Sequence, residues 1–432
     1  MKQKERKKQR EVAVIGLGYV GLPLAVLAEK RGFHVLGIDI NQKRVDSVNA
    51  RQSPFRDKGL QRALAKTVNF SASSNFDGIK NASTIVICVP TPVDSDRLPD
   101  LKPLIGAAKG IGQYLRRGQL VVLESTVNPG VCDEILIPEL EKATGLRAGK
   151  DFFVAHCPER INPGDESWNV ENIPRVVGSL EARGLQLALD FYRQLVRATI
   201  RPMSSLKEAE AVKIVENSFR DVNIAFVNEL AMSFERLGID VVRVIEGAST
   251  KPFAFMAHYP GCGVGGHCIP VDPYYLIHYA SQNGFSHRFL SLARNINEQM
   301  PQYVVELLVK GLKAKGQKVA GSKIAVLGLA YKPDIEDDRE SPAYEILKEL
   351  QKKSFKTAVY DPFVAGDSTA SLSEALKGAK GVIVATAHSQ FRQLQPRDFS
   401  KYGIKAVIDG RNCLSADSFA KSNIYFRGIG RR

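Results

Sequence analysis

Two glycine patterns in this 432-residue chain carry chemistry. Near the N-terminus, Gly16-Leu17-Gly18-Tyr19-Val20-Gly21 matches G-x-G-x-x-G. Far downstream, Gly261-Cys262-Gly263-Val264-Gly265-Gly266-His267-Cys268 ends four glycines in six positions on a cysteine, followed by Ile269-Pro270-Val271-Asp272-Pro273. Residues without side chains let a backbone close around a bulky polar ligand and leave Cys268 Sγ at the rim of the loop. A thiolate beside a nicotinamide traps an aldehyde as a thiohemiacetal. Loss of a second hydride then gives a thioester for water to hydrolyse, so the chemistry would run from alcohol to acid. Taken alone, the motif also fits an ordinary glycine-rich turn beside a small buried thiol. His267, Cys268 and Cys262 are adjacent on one loop without a C-x-x-C partner, which makes a poor tetrahedral site, so no metal is expected.

The first pattern sits where a dinucleotide fingerprint must sit. Val12-Ala13-Val14-Ile15 reads as a buried strand, Leu22 to Lys30 as a helix, and Val35 to Ile38 as a second strand ending at Asp39. Gly16 makes the tight turn, Gly18 admits a pyrophosphate to the helix N-terminus, and Gly21 lets helix and strand pack closely. Asp39, 18 residues after Gly21, is expected to accept hydrogen bonds from ribose hydroxyls and repel a 2′-phosphate, which favours NAD over NADP. Arg44 weakens that choice if it meets a phosphate; it can also stack on adenine, or be a solvated helix residue.

Further strands are expected at Thr84 to Val89, leading into Pro90-Thr91-Pro92, at Leu120 to Leu123, leading into Glu124-Ser125-Thr126, and at Phe152 to Ala155, before Pro158-Glu159-Arg160. A long helix, Ser204 to about Leu237, carries Val212, Val215, Phe219, Val222, Phe226 and Leu230 on apolar faces and is read as bridging two domains. Lys213, Asn217 and Arg220 lie at i, i+4 and i+7 on it and share a face; that is unremarkable on a solvated helix, or a catalytic stripe in an enzyme. After Val319-Ala320-Gly321-Ser322 the α/β pattern restarts: strands at Lys323 to Leu327, Thr357 to Tyr360, Gly378 to Ala385 and Ala406 to Ile408, and a helix at Pro342 to Gln351. This second unit lacks the third fingerprint glycine and is not expected to hold NAD. Lys332, Arg339 and Arg411 there fit a nucleotide diphosphate or surface ion pairs.

The expected fold is therefore α/β, with two Rossmann-like doubly wound parallel-sheet domains joined by a central helical region. The boundaries read as a basic arm at 1–10, an NAD-binding domain at 11–203, a central region at 204–318 and a nucleotide-binding domain at 319–432. The chain is 44% hydrophobic and 25% charged, the balance of a globular protein rather than a disordered one. Its net charge is +14; Met1 to Arg10 holds six Lys/Arg against Glu5, leaving +9 for the rest. That excess suits an enzyme handling two anions, and no nucleic-acid-binding signature accompanies it. Six cysteines without framework spacing suggest reduced thiols, and the basic start followed by Val12 to Ala28 imitates a signal peptide that Gly16, Gly18, Gly21 and Pro23 interrupt. No stretch reaches about 18 uninterrupted apolar residues, so no membrane insertion and a cytoplasmic location are expected.

Across nearly the whole chain the residues resemble the UDP-sugar 6-dehydrogenases, a family that also includes GDP-mannose dehydrogenase. The marks are Gly16 to Gly21 with Asp39, Val89-Pro90-Thr91-Pro92, Glu124-Ser125-Thr126-Val127, Pro158-Glu159-Arg160, Lys213 to Asn217, Gly265-Gly266-His267-Cys268, Lys332-Pro333 and Arg339-Glu340-Ser341. The resemblance implies two NAD-dependent oxidations at C6 of a UDP-sugar by a homodimer or higher homo-oligomer, with the C-terminal domain holding UDP. It makes Cys268 the nucleophile, Lys213 the stabiliser of alkoxide and oxyanion, and Glu159 the acid/base of thioester hydrolysis. Thr126, Asn217 and Asp272 would position water or the substrate hydroxyl. It also assigns Tyr19, Val20, Arg44, Pro90, Thr91, Ser125, Thr126 and Arg339 to the cofactor, beside the three glycines and Asp39. To the substrate it assigns Arg160, Ile161, Lys213, Asn217, Arg220, Tyr259, Gly265, Tyr331, Lys332 and Arg411. UDP-glucose enzymes carry serine, lysine and glutamate where His267, Val271 and Pro163 stand, so the chain resembles the UDP-N-acetylhexosamine branch. Thr250 to Met256 points within it to N-acetylglucosamine, since mannosamine enzymes carry histidine and arginine where Pro252 and Ala254 stand. A single-step β-hydroxyacid dehydrogenase would need neither Cys268 nor the second α/β unit, and a non-catalytic NAD sensor would leave Lys213, Glu159 and Cys268 without a role.

Overall fold

A computed structural model describes residues 10–55, 57–94, 98–161, 167–266, 268–366 and 368–431. Two compact units divide it: one runs up to Glu216 and takes in Tyr274–Gln282, the other comprises Asn217–Pro273 and Asn283 onward.

The first unit is built on eight strands: β1 (Glu11–Ile15), β2 (His34–Ile38), β3 (Phe70–Ser73), β4 (Thr84–Ile87), β5 (Leu120–Leu123), β6 (Phe153–His156), β7 (Arg175–Ser179) and β8 (Ile200–Pro202). Their order is β3-β2-β1-β4-β5-β6-β7-β8, and the first six run parallel in the doubly wound order that reverses between β1 and β4. Both faces are covered, and alternate residues feed separate cores: Val12 and Val14 pack on one side, Ala13 and Ile15 on the other. β6 and β7 pair antiparallel, at Ala155 with Ser179 and His156 with Gly178. That edge was not expected from the sequence, nor was β3, whose Phe-Ser-Ala-Ser reads as a loop because it lacks an apolar run.

The second unit carries β9 (Lys323–Leu327), β10 (Lys356–Tyr360), β11 (Gly381–Val384), β12 (Ala406–Asp409) and β13 (Tyr425–Gly428), all parallel, in the order β10-β9-β11-β12-β13. Ile324 and Val326 face one core while Ala325 and Leu327 face the other. The two parallel-sheet α/β units expected from the sequence are present.

The long helix is Leu206–Leu237. It gives its first residues to one unit and the rest to the other. Its apolar stripe is not all core: Val215, Phe219 and Phe226 are 57%, 47% and 54% exposed. A second long helix, Arg288–Ala314, runs through Pro301, a residue that argues against a helix in sequence because it removes one i to i−4 bond. Pro301 is buried among apolar neighbours, and packing outweighs that loss.

Candidate active site

In the first unit the fingerprint loop leaves β1 at Gly16, whose φ of +92° lies in the region only glycine enters freely. A Cβ on Gly16 would stand 2.6 Å from the Cys88 carbonyl oxygen, and one on Gly21 1.9 Å from that of Gly16. Gly18 differs, since a Cβ there would meet nothing within 4 Å. Two glycines are thus required by packing, and the third faces open space at the start of helix Gly21–Lys30. That helix has no side-chain cap and no acidic residue in its first turn, which suits an anion.

Asp39 is only 6% exposed. Its Oδ2 accepts from the Leu17 N–H at 2.8 Å and from Arg44 Nη1 at 2.9 Å, while Oδ1 accepts from the Asn41 N–H at 2.9 Å. The carboxylate therefore orients the glycine loop and neutralises Arg44, which removes the free cation a 2′-phosphate would need. Arg44 also lies 5.9 Å from the Phe55 ring centroid, and Phe55 stacks on Tyr19 at 4.1 Å. These residues fit NAD.

Small polar residues gather at the ends of β4 and β5. Thr91 Oγ1 donates to the Thr126 carbonyl at 2.6 Å, and Ser125 Oγ donates to that of Val89 at 2.7 Å; Pro90 beside them is exposed. The Tyr275 hydroxyl bonds the Thr91 carbonyl and lies 3.3 Å from that of Pro92, a long-range tie that no local pattern announced. After β6, Glu159 is buried, and its Oε1 accepts from the N–H groups of Arg160, at 2.5 Å, and Ile161. Arg160 turns to Glu216, with Nε 3.2 Å from Oε2, and donates Nη1 to the Pro174 carbonyl at 2.9 Å.

Beneath Glu159 lies a charge cluster that motif reading missed. Arg175, 1% exposed, bonds Glu124 Oε1 at 3.1 Å and stands 3.7 Å from Glu159 Oε2. Tyr192 donates to the same Glu124 oxygen at 2.5 Å. Burial pushes the Glu124 carboxyl up to about 7 against the pull of Arg175. Glu124 and Glu159 stand in motifs visible in the sequence, but nothing there marked Arg175, which opens β7, or Tyr192 as their partners. Lys213 is half-buried on the long helix and Arg220 is exposed.

In the second unit, Asn217 Nδ2 donates to Asp272 Oδ2, and both side chains are buried. The Asp272 N–H bonds the Cys268 carbonyl at 2.8 Å, so the half-buried cysteine begins the turn that leads into helix Asp272–Gln282. The glycines before it meet protein at close quarters. A Cβ on Gly265 would lie 2.8 Å from Tyr331 Cβ, and one on Gly266, where φ is +89°, 2.8 Å from the Tyr331 ring. Gly261 abuts Arg411, whose Nε donates to the Ala385 carbonyl at 2.8 Å. Gly265 and Gly266 are therefore glycines because Tyr331 presses on them, whatever ligand the loop also admits.

A buried polar relay reaches the same loop. The Gly261 N–H donates to Asn228 Oδ1, Asn228 to Asn297 Oδ1, and Asn297 to Asp221 Oδ1, at 2.9, 2.9 and 2.8 Å. Arg294 pairs with that aspartate at 2.6 Å. Arg339 is held by Asp337 at 2.6 Å, and its carbonyl accepts from the Gly266 N–H at 3.2 Å. Tyr331 and Lys332 are half-buried and Tyr259 is exposed. His267, Pro163 and the basic arm through Gln9 lie outside the described residues.

The second α/β unit repeats one device of the first. Asp361 Oδ2 accepts from the N–H groups of Leu329 and Ala330 at 2.6 and 2.9 Å, as Asp39 does from Leu17. Here His388, fully buried, adds its Nε2 at 3.0 Å and stacks on Phe363. Burial alone would raise the Asp361 carboxyl, but His388 and the backbone donors hold it well below the usual range.

Three profiles of one family match this chain in order: its NAD-binding domain over residues 10–196, its central domain over 207–299 and its UDP-binding domain over 325–416. The chain belongs to the UDP-glucose/GDP-mannose dehydrogenase family. It is an oxidoreductase of the NAD-dependent UDP-sugar class. A UDP-N-acetyl-D-glucosamine 6-dehydrogenase of Pseudomonas aeruginosa is 39% identical over 404 residues, covering 92% of this chain and 94% of its own. A UDP-N-acetyl-D-mannosamine dehydrogenase of Pyrococcus horikoshii is 36% identical over 424 residues, covering 97% and 99%. The solved structure of a UDP-N-acetylmannosamine dehydrogenase from that organism matches with a TM-score of 0.91 over 98% of this chain and 99% of the other, at 36% identity. No helix among the described residues is long and apolar enough to cross a membrane.

Proposed function

We propose that the enzyme oxidises the C6 hydroxyl of a UDP-N-acetylhexosamine, with UDP-N-acetylglucosamine preferred, to the uronic acid through a thiohemiacetal and a thioester on Cys268. The observation that carries this reading is the setting of Cys268: a half-buried cysteine in the turn ahead of a helix, its carbonyl bonded by the N–H of Asp272, which is paired with Asn217. NAD, when bound, accepts the hydride lost in each oxidation.

The chain's own groups do the rest. The Lys213 ammonium stabilises the C6 alkoxide and later the oxyanion of each tetrahedral species. Cys268 Sγ adds to the aldehyde carbon and is released when water attacks the thioester, with Glu159 moving the proton between water and departing thiolate. Thr126, Asn217 and Asp272 position the hydroxyl or the water. One water enters, two hydrides and two protons leave, and the thiol is restored. Lys332 and Arg411 bind the UDP diphosphate in the 319–432 domain, and Gly18 receives the NAD pyrophosphate in the 11–203 domain.

Preference for an N-acetyl sugar rests on His267, Val271 and Pro163, and preference for the gluco sugar on the Lys251 to Met256 segment. Relatives named for N-acetylglucosamine at 39% and 38% identity support it. The N-acetylmannosamine reading is favoured by the relative that aligns over 97% of this chain. An NADH-release assay over a panel of UDP-sugars decides. The highest kcat/KM is expected for UDP-N-acetylglucosamine, with two NADH per sugar, and UDP-glucose should be poor because buried amide partners would be left unpaired. UDP-glucose as best substrate refutes the branch, whereas one NADH with free aldehyde refutes the thioester. Exposed Phe219 and Phe226, seven residues apart on one helix face, support a homodimer formed through the 204–318 region.

A further inference from the structure

The first unit holds a second group of chemically capable side chains that the oxidation does not use. Cys132, His156 and Glu210 are each 0% exposed. One ligand atom from each, Sγ, a ring nitrogen and a carboxylate oxygen, lies within 4.8 Å of the others. Three separate elements deliver them. His156 is the last residue of β6 and points to the same side as Val154. Glu210 lies on the long helix, one turn after buried Leu206. Cys132 opens a single π-helical turn, Cys132–Leu136, ahead of helix Ile137–Thr144. Pro138 lacks the N–H that an α-helix would direct to the Glu134 carbonyl, a local reason for the wider turn.

Glu210 is anchored from behind: Oε2 accepts from the Gly130 N–H at 2.6 Å and Oε1 from that of Cys132 at 2.8 Å. His156 is the anomaly. Neither Nδ1 nor Nε2 has a hydrogen-bond partner among the described residues, although the ring is fully buried. Leaving one such group unsatisfied costs about 1–3 kcal/mol, so a buried imidazole with both nitrogens unpaired needs a partner that side chains do not supply.

We propose that Cys132 Sγ, His156 and the Glu210 carboxylate bind a divalent thiophilic cation, zinc by preference, in the core of this unit. The donor set is the argument for the metal: a thiolate, an imidazole and a carboxylate are zinc ligands, and a mixed soft and borderline set disfavours magnesium and calcium. Charge balance is the second. A dication with a thiolate and a carboxylate is neutral overall, the condition for such groups to be buried without solvent. Zinc–ligand lengths of about 2.0–2.3 Å put tetrahedral donors roughly 3.4–3.7 Å apart, so donors now within 4.8 Å of one another close by up to about 1.4 Å on binding. On binding, Cys132 Sγ and any protonated Glu210 carboxyl give up their protons to solvent, and no electrons move.

The site would tie β6, the turn after β5 and the base of the long helix together, three residues before Lys213 on that helix. Its role is structural. It does not depend on which sugar is oxidised, and its test does not read catalysis.

The test uses the full chain, equilibrated with zinc(II) and then freed of loosely held metal by gel filtration. Metal content by plasma mass spectrometry should be about one zinc per chain for the parent and for Cys268→Ala, and below about a tenth of that for His156→Phe and Cys132→Ala. With cobalt(II) in place of zinc, the parent should show a thiolate-to-cobalt charge-transfer band in the near ultraviolet that Cys132→Ser lacks. That comparison stands even if His156→Phe fails to fold. Zinc should also raise the parent's melting temperature and leave that of Cys132→Ser unmoved. A parent that retains no zinc, a His156→Phe that retains as much as the parent, or loss of the metal in Cys268→Ala each overturns the proposal.

Discussion

Replacing Gly18 and Gly21 separately by alanine distinguishes a glycine kept for a ligand from one kept for packing. At Gly21 the new methyl would lie 1.9 Å from the Gly16 carbonyl oxygen and 3.1 Å from Cys88 Cβ. Backbone cannot yield there as a side-chain tip can, so the loop and the helix start must separate, at a cost of about 1–3 kcal/mol or more. In a domain of this size that lowers the melting temperature by roughly 2–4 °C per kcal/mol. At Gly18 the same methyl meets no protein atom within 4 Å, so the melting temperature should stay within about 2 °C of the parent. Its cost appears only when the pyrophosphate approaches the helix N-terminus, where losing about 1.4–3 kcal/mol of close contact weakens NAD roughly 10- to 100-fold. Differential scanning fluorimetry without NAD, calorimetric NAD titration and KM values for both substrates measure the pair. Gly18→Ala should raise KM for NAD and leave that for the UDP-sugar nearly unchanged. If Gly18→Ala binds NAD like the parent, or Gly21→Ala melts with it, the division of roles is wrong.

Cys268→Ala should cut acid formation by several orders of magnitude in a coupled NADH assay while calorimetric NAD affinity persists; near-parent acid production would leave the thiol a structural role. Lys213→Ala should lose about 3 kcal/mol of transition-state stabilisation or more, read as a fall of at least about 100-fold in kcat with unchanged melting temperature. Lys332→Met should raise KM for the UDP-sugar far more than KM for NAD, and equal effects on both would count against a diphosphate contact. Glu124 makes a pH prediction. Its carboxyl rises from 4.5 to about 7 on folding, so between those values the folded state binds the extra proton and stability from this group declines as pH climbs, levelling above about 7. Melting temperature against pH should therefore fall less steeply over that window in Glu124→Gln, whose amide keeps an acceptor for Tyr192. Identical slopes would show that the carboxyl does not titrate there.

Much of this was legible in the chain itself because it is local. The fingerprint glycines follow a strand and open a helix within one βαβ unit, and alternation or runs of apolar residues mark β1, β5 and β9 whatever surrounds them. The glycine loop before Cys268 and the shared helix face of Lys213 and Asn217 are visible in the spacing, but their roles came from the family resemblance, since the spacing also fits an ordinary turn and a solvated helix. Tertiary structure decided the rest, because the deciding partners lie far apart in sequence. Arg175 meets Glu124 across 51 residues, Asn217 meets Asp272 across 55, and Tyr275 reaches Thr91 across 184. Only the fold shows that Gly265 and Gly266 are small because Tyr331 lies against them, and that Asp39 is engaged by Leu17 and Arg44. It also places His388 beside Asp361, where the first unit has Arg44 beside Asp39. Periodicity records which residues are apolar, whereas the partner of a buried charge depends on which strand ends adjoin. That is a property of sheet order, and β6, β7 and β8 acquire it only when the chain is folded.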